Sequence, residues 1–340
     1  MLHSPATAPG RRQALRAGLA TGKLLRFPGA FNPLTAMLAE RLGFEGIYLS
    51  GAVLSASLGL PDVGLTTQSE VARASHEVAR VTSLPTLVDA DTGFGEPLNV
   101  ARTVQVLEEL GASGCHVEDQ VNPKRCGHLE GKEVVATGVM CRRIAAAVRA
   151  RRDPGFVVCA RTDARASEGL AGVIARAKAY LDAGADMIFP EALAGAGEFE
   201  RVRRALDAPL LANMTEFGKT ELLGTETLAS LGVNVVIYPV TLLRLAMGAA
   251  ERGLREIAEV GTQKSLLDQM QSRAELYDLL GYDDYTRFDA ELAATGLTGQ
   301  RPPSYEHDPS QPTTGPSQPT TGPSQPTTGP SQPTTARREK

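Results

Sequence analysis

Short apolar runs recur along the chain, each ending in a polar or glycine-rich turn and followed by an amphipathic stretch. The runs occupy residues 24–27, 46–49, 86–88, 114–117, 156–160, 187–189, 210–212 and 233–238. Between them a helical period is visible over 33–42, 68–82, 97–110, 137–151, 169–183, 198–206 and 221–231. Near-continuous apolar strands alternating with helices predict a parallel sheet covered on both faces. Eight such units predict an α/β fold of the (β/α)8 TIM-barrel type, with a doubly wound sheet as the alternative. The joints LGFEGIYLS, LGASGCHVE, AGADMIFPE and LGVNVVIYP each end a helix at glycine and enter a strand. Glycine in that place caps the helix in a left-handed conformation.

Beyond Pro239 the rhythm stops. Residues 241–257 and 262–280 read as helices with no strand between them, so they lie outside a completed barrel and are expected to pack on a neighbouring subunit. Residues 1–10 are Pro/Ala-rich and expected to be loose, with a helix over 11–20 and a catalytic domain spanning 11–300. From Pro309 the motif PSQPTTG repeats, a composition that cannot bury a core, so 301–340 is expected to be a disordered tail.

Composition narrows the function classes. A formal net charge of -4 gives no basic field, which argues against nucleic acid as a partner. No run approaches the ~18 apolar residues of a membrane span, and the opening MLHSPATAPGRRQALR lacks the apolar core of a signal peptide. Four cysteines spread over 340 residues are expected to be free thiols in a reducing cytoplasm.

Barrel active sites lie at the C-terminal ends of the strands. Those ends carry Tyr48, Ser50 and Gly51; Asp89 and Asp91; Glu118; Arg161 and Asp163; Glu191; Asn213 and Thr215; and, after the eighth strand, Arg244. Alternation in Asp89-Ala90-Asp91 points both carboxylates one way. With Glu118 they offer hard oxygen ligands suited to Mg2+ or Mn2+; helix capping is the plainer reading of the same aspartates. The densest chemistry is in residues 114–128, GCHVEDQVNPKRCGH, where Lys124, Arg125 and His128 flank Cys126. Nearby cations favour thiolate and make a cysteine a usable nucleophile or proton donor. Zinc is disfavoured, because Cys126 and His128 stand two apart with no second thiol pair. A planar fork at Arg161 suits a carboxylate.

Residues 11–285 resemble the isocitrate lyase and phosphoenolpyruvate mutase superfamily, and within it the 2-methylisocitrate lyases. The motifs that carry the resemblance are YLSG, SLGLPD, VDADTGFG, HVEDQ, PKRCGH, ARTDA, FPEA, NMTEFG, YPV and MQSRAELY, with KRCGH specific to the lyase branch. The resemblance implies Mg2+ held by Asp89 and Asp91, with Glu118 as a water-mediated third ligand. It implies Cys126 as catalytic proton donor, tuned by Lys124 and His128, and Tyr48 as catalytic base with Asp62 or a water behind it. Implied substrate contacts are Ser50, Gly51, Ala52, Gly127, Arg161, Glu191, Asn213, Met214, Thr215, Arg244 and Arg273. The implied reaction splits a small tricarboxylate, 2-methylisocitrate, into pyruvate and succinate, a step of propionate catabolism through the methylcitrate cycle. Isocitrate cleavage is the near alternative: its enzymes resemble this chain at the same motifs, but they carry Trp where this chain has Phe189, and Phe leaves room for the extra methyl. An oxaloacetate- or phosphonopyruvate-type activity and a non-catalytic scaffold stand further off. The implied assembly is a homotetramer of dimers that exchange a C-terminal helix. One departure is Ala52 in place of the family's second glycine, which would be strained if the turn were left-handed.

Overall fold

A computed structural model describes residues 6–127 and 131–294. Helix α1 (Ala8–Ala20) leads into β1 (Leu25–Pro28), α2 (Pro33–Arg41), β2 (Ile47–Leu49), α3 (Gly51–Ser57), α4 (Gln68–Ala79) and β3 (Thr86–Asp89). Then come α5 (Pro97–Glu109), β4 (Gly114–Glu118), α6 (Thr137–Ala150), β5 (Val157–Thr162), α7 (Arg165–Asp182), β6 (Met187–Pro190) and α8 (Ala196–Ala205). The barrel ends with β7 (Leu211–Asn213), α9 (Thr225–Ser230) and β8 (Val235–Tyr238). Beyond it lie α10 (Thr241–Val260), a 3-10 turn (Lys264–Gln269), α11 (Arg273–Leu280) and α12 (Tyr282–Ala294). The compact unit closes at Ala290.

All strand pairings are parallel. One sheet runs β2-β3-β4-β5-β6 and the other β1-β8-β7. Single bridges, Gly29 to Tyr48 and Ile188 to Leu210, join them at both seams. The ring of eight is therefore closed, which excludes the doubly wound alternative.

Two apolar layers hold it. Inside the ring, Phe27, Leu87, Val157, Cys159, Met187, Phe189, Leu211, Val235 and Ile237 pack together. Outside it, the strands' opposite faces meet the helices through residues such as Val88, Val117, Ile144, Val158, Tyr180, Ile188 and Val236. Helix α1 belongs to the inner layer through Leu15 and Leu19. Its arginines explain why it sits at the N-terminal end of the strands. Arg11 donates to Gly111 O, Arg12 to Ala112 O, and Arg16 to Gly155 O and Phe156 O. These carbonyls belong to the turns that enter β4 and β5 and need donors there, Phe156 O taking a second one from Arg151.

Several boundaries differ from the sequence reading. Helix α1 starts at Ala8 rather than 11, because Thr7 accepts Gly10 N at 3.2 Å as an N-cap. Residues 8–10 are thus helical, not loose. Helix α3 was hidden because its GAVLSAS continues the apolar run of β2. The 262–280 stretch breaks into a 3-10 turn and α11, since Ser272 and Glu275 form a capping box that starts a new helix. The 301–340 tail lies outside the described residues. No helix among the described residues is long and apolar enough to cross a membrane.

If α1 seals the barrel floor, truncating its buried anchor should be costly. Leu15→Ala is expected to lower the unfolding free energy by about 2–5 kcal/mol, read from urea denaturation of the purified protein. A loss within ±0.5 kcal/mol, the range of a surface substitution, would show that α1 does not close this end.

Candidate active site

The strand ends converge on one cavity of about 420 Å³. Of the residues singled out from sequence, Tyr48, Ser50, Ala52, Asp62, Asp89, Lys124, Cys126, Gly127, Arg161, Glu191, Asn213, Thr215 and Arg244 line it. Parallel strands with short turns place these side chains on a rigid rim.

The aspartates are anchored by backbone. Asp89 Oδ2 accepts Gly51 N at 3.0 Å, and Oδ1 accepts Asp91 N at 3.1 Å. Asp91 adopts a left-handed φ of 46°, which turns its carboxylate back toward Asp89. A Cβ on Gly51 would stand 3.0 Å from Asp89 Oδ2 and 3.2 Å from Asp91 Oδ1. Glycine there leaves open the space between the two carboxylates. Lys124 reaches in from the loop after β4, with Nζ 2.5 Å from Asp62 Oδ1 and 2.7 Å from Asp91 Oδ1.

The charges shift one another. Burial opposes ionisation of Asp89, but His116, Lys124 and Arg161 outweigh it and hold its carboxyl below the usual range. Burial and repulsion from Asp89 push Asp91 up, against the pull of Lys124. Burial drives Glu118 well above an ordinary glutamate, despite Arg161. Burial would lower Lys124, but Glu118, Asp91, Asp89 and Asp62 raise it, so the ammonium stays charged.

Arg161 is tightly engaged. Its guanidinium meets Asp163 Oδ2 at 2.9 Å, Glu191 Oε2 at 3.2 Å and Glu118 Oε2 at 3.3 Å. Asn213 Nδ2 also donates to Glu191, at 3.3 Å. Gly127 fits against this cluster: an added Cβ would lie 2.3 Å from Arg161 Nη2. Half-buried Cys126 is therefore carried next to the Arg161–Glu191 pair, on the same cavity as Asp89. Arg244 pairs with Glu216 at 2.6 Å and donates to Thr215 Oγ1 at 3.4 Å.

Some expectations need correction. Met214 does not line the cavity. Its side chain is buried in the outer apolar layer, where Sδ accepts Leu223 N. Arg273 opens α11, is exposed and is not on the cavity wall; Asp278 of that helix pairs with Arg41 of α2, on the barrel's outside. Glu118 and Gly51 sit behind the lining rather than on it, Glu118 under Arg161 and Gly51 against Asp89. Phe189 does not line it either: the ring is fully buried, with Arg161 stacked 5.0 Å above its centre. Tyr48 reaches the cavity, but burial and Asp89 push its phenol well above the usual value, so this chain alone does not poise it as a base. Arg125 is exposed, and Lys124 is turned toward carboxylates rather than toward the thiol. Ala52 lies in the first turn of α3 and is not left-handed, so it carries no strain. His128 lies outside the described residues.

Other participants were not singled out. His116 is fully buried under the site, its Nε2 2.8 Å from Tyr48 Oη and 3.6 Å from Asp89 Oδ1. Its place in an apolar strand concealed it. Glu216 and Phe217 join the rim, and Lys132 bonds Asp163 at 2.8 Å.

Whether these residues suit a divalent cation can be tested on the carboxylates. Among the described residues, no group of three or more His, Cys, Asp or Glu encloses a metal position. Yet Asp91 Oδ1 and Glu118 Oε1 are buried without a well-directed hydrogen-bond donor, Asp91 Oδ1 having the Lys124 ammonium as an ion-pair partner. Two carboxylates, a glycine-sized gap and unsatisfied oxygens fit an ion such as Mg2+, which keeps several waters and takes few protein ligands.

A model of the phosphoenolpyruvate phosphomutase family matches residues 15–258. A probable 2-methylisocitrate lyase from Corynebacterium glutamicum is 60% identical over 88% of this chain and 98% of its own length. The 2-methylisocitrate lyase of Escherichia coli is 46% identical over 84% of this chain and 95% of its own. Among solved structures, 2,3-dimethylmalate lyase aligns with a TM-score of 0.79 at 32% identity, covering 87% of this chain and 99% of that one. Phosphonopyruvate hydrolase complexed with oxalate and Mg++ aligns at 0.76 and 33%, covering 83% and 99%. The chain belongs to the phosphoenolpyruvate phosphomutase family, within the superfamily that also holds the isocitrate lyases.

Proposed function

We propose that this chain is a metal-dependent carbon–carbon lyase that cleaves 2-methylisocitrate into pyruvate and succinate, as a step of propionate catabolism in the cytoplasm. The observation that carries this reading is the half-buried thiol of Cys126 on one cavity wall with Asp89, Arg161 and Glu191. The names of the relatives support the substrate.

Breaking C2–C3 requires loss of the C2 hydroxyl proton. The C2–O bond becomes the carbonyl of pyruvate, and the electrons of the broken bond pass to C3, beside a carboxylate. Cys126 Sγ–H donates its proton to C3 and completes succinate; the proton released from the hydroxyl restores the thiol. A divalent cation held by Asp89 and Asp91 would supply Lewis acidity at the hydroxyl and offset the Asp89 charge that, next to burial, raises the Tyr48 phenol. Tyr48, once ionised with its own proton lost to solvent, is then the group on the cavity floor that accepts the hydroxyl proton, with His116 Nε2 fixing its orientation at 2.8 Å. Asn213, Thr215 and Arg244 face the cavity from β7 and α10 and orient the remaining carboxylates. Arg161, already shared among three carboxylates, steadies charge at Cys126's wall more than it grips substrate. The loop that carries Cys126 closes over bound substrate and excludes water in this reading.

The chain also assembles with copies of itself in this reading. Helix α10 runs 20 residues without a buried side chain, and Leu245, Met247, Leu254, Ile257 and Val260 are exposed on it. Tyr277, Tyr282, Tyr285 and Phe288 extend the apolar surface along α11 and α12. An uncovered amphipathic face of this length fits helix exchange between subunits and a tetramer of such dimers.

Three outcomes are expected. Purified protein should release pyruvate from 2-methylisocitrate faster than glyoxylate from isocitrate, and EDTA should abolish both until Mg2+ is returned; a preference for isocitrate would establish the alternative. Cys126→Ser should fold and bind Mg2+ in calorimetry while kcat drops ~10²–10⁴-fold, and near-normal turnover would remove the thiol from the reaction. Light scattering should give the mass of an oligomer, which Leu254→Glu with Ile257→Glu reduces; a wild-type monomer would end the assembly reading.

A further inference from the structure

The segment after β4 folds back on itself. Val121 N donates to Glu133 O at 2.9 Å and Val135 N to Asp119 O at 2.8 Å, with an antiparallel bridge between Gln120 and Val134. On the outgoing arm, Gln120 braces Arg125 through both its amide atoms, at 2.9 and 2.8 Å. Cys126 and Gly127 follow directly and form cavity wall.

Lys132 comes from the returning arm. Its side chain is only 4% exposed. The ammonium donates to two oxygens, the Gly127 carbonyl and Asp163 Oδ1 at 2.8 Å. Asp163 is itself fixed, with its backbone N on Asp119 Oδ1 at 2.9 Å and its carboxylate receiving Arg161 Nε at 2.9 Å. A buried ammonium must be satisfied by acceptors of this kind. Lys124, the other buried cation of this loop, spends its bonds on Asp62 and Asp91 instead. The acceptor chosen by Lys132 is the carbonyl one residue after the thiol. Gly127 has no room to retreat toward Arg161, because a Cβ there would already collide with Nη2. Gly127, the residue after the thiol, is thus packed at its Cα against Arg161 and held at its carbonyl by Lys132.

We propose that Lys132 is a positioning residue that sets the distance between the Cys126 thiol and the reacting carbon by binding the Gly127 carbonyl and Asp163 at once. The proposal rests on the reading of Cys126 as proton donor. It deepens that reading by assigning the support that holds the donor in place.

Lys132→Met keeps an unbranched chain without the charge, and Asp163 retains Arg161 as its partner. Displacing a reacting group by about 1 Å can cost ~10²-fold, so kcat for 2-methylisocitrate should fall by that order while KM moves far less. Lys132→Arg, which restores a cationic donor, should recover a large part. Independently of turnover, iodoacetamide should alkylate Cys126 faster in Lys132→Met than in wild type, with the site located by peptide mass mapping. Both variants are to be compared at matched thermal stability. Unchanged kcat in Lys132→Met, or a loss that follows the melting temperature with Cys126 alkylation unaltered, would overturn the proposal. Should wild-type protein fail to cleave 2-methylisocitrate, the lyase reading falls, and the alkylation comparison still decides for or against Lys132.

Discussion

More buried carboxylate than cation is gathered at one end of this barrel, and much else follows from that imbalance. Asp62, Asp89, Asp91, Glu118, Asp163 and Glu191 face Lys124, Lys132 and Arg161. Each carboxylate taken from water must find donors or hold its proton. The chain uses every means available. Backbone N–H groups of Gly51 and Asp91 serve Asp89, Arg161 is divided among three acids, and Glu118 is driven toward its neutral form. Lys124 stands between Asp62 and Asp91 and is shared by both. Such an excess of negative charge favours a cation over a further anion.

The two ends of the ring solve opposite problems. At the floor, arginines of α1 satisfy carbonyls of the strand-entering turns, and Leu15 and Leu19 complete the inner apolar layer. At the mouth, polar groups are satisfied mainly by each other, and loops carry the rest. The floor holds the strand ends in register, so the mouth can keep an unfavourable charge arrangement in place. This division is the usual one in barrels, with stability at one face and chemistry at the other.

Period and parity made most of this legible. Alternation of apolar runs with amphipathic stretches was enough for eight strands and favoured a closed ring, and listing what ends each strand found the polar centre of the cavity wall, with Asp62, Lys124, Cys126 and Gly127 coming from the loops. The same parity explains the residues that failed. Asn213 and Thr215 face the cavity, so Met214 between them must face the helices, as it does. Arg161 and Phe189 are register partners on adjacent strands, so the aromatic ring belongs to the layer beneath the cavity. Arg273 failed for another reason. It lies beyond the barrel, where no strand order relates position to site. His116 and Lys132 were not legible, because one sits in an apolar strand and the other depends on how a loop returns upon itself.

Phe189's place also changes where selectivity must reside. A ring packed under Arg161 cannot touch a substrate methyl directly. The apolar surface that the cavity does present comes from Ala56, Leu60 and Pro61 on the β2 side, and from Phe217, Pro239 and Val240 on the β7–β8 side. These belong to connecting segments, not strands; Phe217 is 95% exposed and shields one face of Arg244. One methyl group against such a surface is worth ~1–3 kcal/mol. The energy of discriminating substrates that differ by that methyl is therefore bounded by what this apolar surface, carried by α3 and the segments after β7 and β8, can supply.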